Sequence, residues 1–127
     1  MGKVIESLKL TNVFKPEHSV QIEAVVDTGA TMIVLPMKIV RRLGLRKQTE
    51  VTVRYANGAT DRKTVYGIVR AELAGRSGNF DVIAQDDGAQ PLIGQILLEQ
   101  LDLIVDPKKR QVRPNPLSPD LPMIEVL

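Results

Sequence analysis

Val25-Val26-Asp27-Thr28-Gly29-Ala30 is an apolar run that ends in an acid on a glycine turn. Later in the chain, Pro91-Leu92-Ile93-Gly94-Gln95 echoes it without the acid. A carboxylate at the end of a buried strand is costly to hold ionised, so an acid in that place points to chemistry more than to packing. Asp-Thr-Gly occurs once in the chain. The chemistry that it points to takes two acids.

Working outward, the bulk composition narrows the choices. The 127 residues fit one compact domain. Apolar residues make up 43% but aromatics only 3%, so the core must be built from Val, Ile and Leu, which favours sheet packing. A formal charge of +2 with both signs interspersed leaves no basic stripe, and only Tyr55, Tyr66, Phe14 and Phe80 are available to stack on bases. Nucleic-acid binding is therefore not expected. With no cysteine there is no disulfide, no thiolate zinc site and no Cys nucleophile. His18 is the only histidine and lies in the turn-like Lys15-Pro16-Glu17-His18-Ser19, which reads as a solvated loop. Ser-His-Asp and Cys-His schemes thus lack parts. No stretch approaches the roughly 18 apolar residues of a membrane span. Glu6 comes too early for a signal-peptide core, and the cytoplasm is the expected location.

The pattern along the chain predicts mostly strands. Val4 to Thr11 and Val20 to Val26 alternate around a polar loop, as an antiparallel hairpin that delivers Asp27 to its turn. Pro36 to Gly44 reads as a short helix, with proline near its first turn, Arg41 and Arg42 in its last and glycine beyond. Glu50 to Tyr55 and Thr60 to Tyr66 flank Asn57-Gly58, a strong hairpin signal. Ile68 to Leu73 and Asn79 to Ala84 are further strands, Ile96 to Leu101 a second helix, and Leu103 to Val105 a strand. A weak repeat overlays Ile39, Val40, Leu43 and Leu45 on Leu97, Leu98, Leu101 and Leu103. The expected division is a domain over 1–112 and a proline-rich tail over 113–127. Met123 to Leu127 reads either as an extended tail or as an edge strand that pairs with a partner subunit.

Peptide hydrolysis without metal, Ser or Cys must activate water directly. One carboxylate accepts the proton of water while a second, protonated, polarises the scissile carbonyl. Two carboxyls held together cannot both ionise and come to share one proton. In Asp27-Thr28-Gly29, glycine permits a tight turn with its amide near the acid, and Thr28 offers a hydroxyl to a symmetric interface. Val25, Val26, Leu92 and Ile93 are expected to surround the acid with low dielectric.

Val-Val-Asp-Thr-Gly-Ala-Thr followed by Val34-Leu35-Pro36, with Leu92-Ile93-Gly94-Gln95 before Leu97-Leu98, resembles the retropepsin family of aspartic proteases. The likeness is closest to the small single-domain members encoded in cellular, often bacterial, genomes, and it runs from about residue 20 to 112. It implies an all-β, closed retropepsin-like barrel protomer with a flap hairpin and one or two short helices. It further implies a homodimeric aspartic endopeptidase, acting on peptide or protein substrates with one Asp27 from each subunit and no cofactor. Asp27, Thr28 and Gly29 match the catalytic positions. Ala30 and Thr31 match cleft-lining positions, with Thr31 standing where the viral Asp-Thr-Gly-Ala-Asp pattern has its second acid. Gly94 would close the loop behind the acid. Ala56, Asn57 and Gly58 occupy the place of the flap tip, and Val34, Ile83 and Leu92 are subsite candidates by position.

Two other readings stay open at this stage. One is a retropepsin-fold peptide-binding or dimerisation module with little or no turnover. The other is a small β-barrel in which Asp27 caps a turn. Asp81, Asp86, Asp87, Asp102 and Asp106 read as surface acids.

Overall fold

The computed structural model describes residues 3–127. Strands β1 (Ile5–Asn12) and β2 (Ser19–Val26) form the expected antiparallel hairpin, with Leu8 opposite Ile22 and Leu10 opposite Val20. Then follow β3 (Ile33–Pro36), α1 (Met37–Arg42), β4 (Arg46–Arg54), β5 (Thr60–Leu73), β6 (Arg76–Gln85) and β7 (Leu92–Ile93). The chain continues through α2 (Gln95–Gln100), β8 (Leu103–Asp106) and β9 (Gln111–Pro114). The main sheet has the order β1-β2-β7-β3-β6-β5-β4. A further β1–β5 pairing, Lys9 to Asn12 against Glu72 to Val69, closes six of these strands into a ring and leaves β4 outside it. β8 and β9 form a separate two-stranded sheet. No helix among the described residues is long and apolar enough to cross a membrane.

Inside the ring lies one aliphatic cluster. Leu8, Leu10, Leu35, Val69, Val82 and Ile93 enter it from the strands, and Val40, Leu43, Leu97 and Leu101 cap it from the helices. Each helix is too short to hold itself together in water, so burial of these side chains is what stabilises it. The weak repeat has a structural counterpart. Val34 and Leu92, which the overlay superposes, pair directly across β3 and β7. Each strand then leads into a six-residue helix that ends on a right-handed leucine, Leu43 or Leu101. The next residues, Gly44 and Asp102, both have positive φ, at 65° and 53°.

Four readings need revision. β4 begins at Arg46, earlier than the alternation indicates, because an exposed edge strand needs ladder hydrogen bonds more than apolar residues. β9 was hidden by its proline, which sits at the last strand position and so costs no central ladder bond. His18 is half-buried, not free in solvent, with Nδ1 3.3 Å from the Arg42 carbonyl. Asp102 is more than a surface acid. Its carboxylate accepts hydrogen bonds from Asn115 Nδ2 (3.1 Å), from the Ser118 hydroxyl and from the Met123 amide (3.0 Å). Buried Arg76 completes this clasp by donating to the carbonyls of Leu101, Asp102 and Ser118. The chain beyond β9 is thereby tied to the end of α2, and Met123 to Leu127 forms no strand within the single chain.

Candidate active site

Asp27 follows directly on β2, and its place is fixed by backbone bonds. Its amide donates to the Ile93 carbonyl at 2.9 Å, its carbonyl accepts the Ala30 amide at 3.1 Å, and its Oδ1 accepts the Gly29 amide at 2.9 Å. A Cβ on Gly29 would lie 3.2 Å from Asp27 Oδ1, so glycine here serves close approach to the acid. The carbonyls of Ala30 and Thr31 accept the Gln95 and Ile96 amides at 2.8 and 2.9 Å. These are first-turn amides of α2, which has no side-chain cap. The acid turn therefore satisfies donors that a helix start leaves unpaired. Gly94 is pressed against the same turn. A Cβ there would come within 2.4 Å of the Met32 carbonyl oxygen and 2.8 Å of the Thr31 carbonyl carbon. Strand, acid turn and helix form one rigid unit.

Asp27, Thr28 and Gly29 are exposed in the single chain, and of the four apolar residues expected around the acid Val25 and Leu92 share its face of the sheet. The reason is geometric. Val26 and Ile93, one residue before the turn and opposite it, point into the core, whereas the alternation turns Asp27 to the other face of the sheet. Two cavities of about 380 and 210 Å³ lie elsewhere, the first beside Phe14 and Ile68, the second beside Phe80 and Ile96.

That second face is organised. Directly paired residues share a face of a sheet. Val25 pairs with Leu92, Leu92 with Val34, Val34 with Ile83, and Ile83 with Val65. These five residues form a continuous apolar strip across β2, β7, β3, β6 and β5. Val25, Ile83 and Val65 are buried although they lie outside the core cluster, and Leu92 and Val34 are half-buried. The structure thus brings together Val34, Ile83 and Leu92, which position alone nominates as subsites, with Val25, expected beside the acid, and adds Val65. Val65 needs the β5–β6 register, which no sequence pattern states.

Ala56, Asn57 and Gly58 form the tip of the β4–β5 hairpin. Gly58 donates to the Tyr55 carbonyl at 2.9 Å with a φ of 85°, and Asn57 Oδ1 accepts the Ala59 amide at 2.9 Å. A positive φ at this place suits glycine. Ala56, Asn57, Gly58 and Thr31 are all exposed and Ala30 is half-buried. Within the single chain the tip is held towards the body by Tyr55, whose hydroxyl accepts from Gln85 Nε2 at 3.4 Å.

A sequence model of the family described as "gag-polyprotein putative aspartyl protease" matches residues 18–100, which hold both the acid turn and Gly94. The chain belongs to this aspartyl protease family. Its fold is retropepsin-like. Among solved structures it is similar to EIAV protease complexed with the inhibitor HBY-793, with a TM-score of 0.60 and 17% identity, over 76% of this chain and 86% of that one. No curated protein matches it.

Proposed function

We propose that the protein is a homodimeric aspartic endopeptidase in which two Asp27 carboxyls, one from each subunit, activate water against a peptide carbonyl. The observation that carries this reading is the pairing of a rigidly held, exposed acid with an apolar strip on the same face. A lone exposed carboxylate in water is a weak base. A second copy placed over it removes water and forces the two acids to share a proton. That shared proton is established behaviour of aspartic proteases as a class and is carried over to this chain. The ionised carboxyl takes the proton of water, the protonated one polarises the scissile carbonyl, and the roles exchange when the amine leaves.

In this reading Thr28 bonds across the twofold axis and Gly29 contacts substrate backbone. Ala30, Thr31, Val34, Ile83 and Leu92 line the cleft, with Val25 and Val65 extending it. The β4–β5 hairpin acts as the flap, Ala56, Asn57 and Gly58 closing over bound peptide to exclude water. The chain beyond β9, clasped to the end of α2, finishes in Met123 to Leu127, and these last residues pair with the partner subunit as an interface strand. Sedimentation combined with cleavage of a peptide library tests the proposal. A dimer that cleaves peptides, is blocked by statine-type mimics and is inactive as Asp27→Asn is the expected result. Full activity in Asp27→Asn overturns it, and binding without cleavage by a confirmed dimer favours the module instead.

A further inference from the structure

We propose that Lys63 makes a carboxylate-selective subsite at the far end of the apolar strip, so that the preferred peptide carries a glutamate or aspartate there. The proposal rests on the protease reading only for the cleavage step; the subsite itself is a matter of binding.

The strip ends at Val65 and Ile83, which pair across β5 and β6. One alternation further along β5 is Lys63, and one further along β6 is Gln85, both on the same face. Across β4 and β5, Val51 stands opposite Lys63 and Val53 opposite Asp61. Val51 and Val53 are the half-buried members of an otherwise exposed β4. They mark this face as the inner one of the hairpin, and Tyr55 continues it to the Gln85 contact. Lys63 therefore sits where an apolar surface gives way to charge.

The ion pair at this place is lopsided. Lys63 Nζ lies 3.3 Å from Asp61 Oδ2, yet the lysine side chain is 15% exposed and the aspartate 52%. Water screens the exposed carboxylate more than the sheltered lysine, so the lysine charge weighs more on a ligand at this face. A side chain laid against half-buried Val51, directly opposite Lys63, with a carboxylate at its end meets an apolar wall and then an ammonium. A lysine or arginine in the same place meets a like charge, which is discrimination by repulsion. The short stem and anionic end of glutamate fit this sequence of surfaces.

The test uses a peptide library with an apolar central pair and Glu, Gln or Lys at each flanking position. Binding to the Asp27→Asn protein is read by enrichment, and cleavage by the wild type is profiled in parallel. At one flanking position Glu is expected to be favoured over Gln by roughly fivefold, with Lys disfavoured. Lys63→Arg should keep that preference, and Lys63→Glu should invert it. Equal enrichment of the three residues at every position, no enrichment of any peptide, or an unchanged preference in Lys63→Glu overturns the subsite. Cleavage without charge preference overturns the subsite and leaves the protease reading intact. Glutamate-selective binding with no cleavage by the wild type upholds the subsite and removes the protease reading.

Discussion

Asp27 faces water in the protomer and carries little folding energy there. Replacing it with Asn keeps the shape of the turn and removes the acid. The expected change in folding free energy is within about 0.5 kcal/mol. Peptide cleavage should fall by roughly 10²- to 10⁴-fold or more. Urea unfolding beside a cleavage assay separates the two effects. Gly94 is the converse case, because its missing side chain leaves room for the Thr31–Met32 backbone. Gly94→Ala should cost about 1–3 kcal/mol by overpacking, read as a lower Tm. Both residues were legible in the sequence, since Asp-Thr-Gly and the later apolar-apolar-Gly motif announce themselves. The role of Asp102 was not legible. A non-glycine residue at a φ of 53° is unusual, and its three hydrogen-bond donors come from residues 115 to 123, which no local pattern connects to it.

Among the elements, the clasp around Asp102 yields a pH prediction. The Ser118 hydroxyl, then the Met123 amide and the Asn115 side chain, hold the carboxyl below its ordinary value of 3.8. Its folded pKa is therefore the lower one. The stabilisation is fully present above 3.8 and is lost as the pH falls through the depressed folded value. Hydrogen exchange at the Met123 amide should show protection above that pH, loss of protection in stronger acid, and loss at every pH in Asp102→Asn. Persistent protection in Asp102→Asn would contradict the clasp. Arg76 supports the same junction from the core side. Arg76→Ala leaves carbonyls of Leu101, Asp102 and Ser118 unpaired and should cost about 1–3 kcal/mol in denaturant unfolding. The β1–β2 hairpin, the two helices and the Asn57-Gly58 turn were readable because their signals are local: alternation in the strands, and for α1 a proline at the start and a glycine at the end. The ends of β4, β5 and β6 were not, because ladder pairing with distant strands sets them.

At the level of the whole molecule, the register across the sheet decides what the site is. Val25, Leu92, Val34, Ile83 and Val65 come from well-separated parts of the chain and meet only because the ring closes as it does. Sequence alone nominated four of them, three as subsites and Val25 as a neighbour of the acid. The ring also leaves the acid on an open face, which in the proposed dimer a second copy covers. Mixing wild-type and Asp27→Asn chains, re-equilibrated as dimers at fixed total concentration, measures this requirement directly. If each active site needs one Asp27 from each of two subunits, activity falls as the square of the wild-type fraction. A linear fall would mean that each chain works with its own acid, and the account would be wrong.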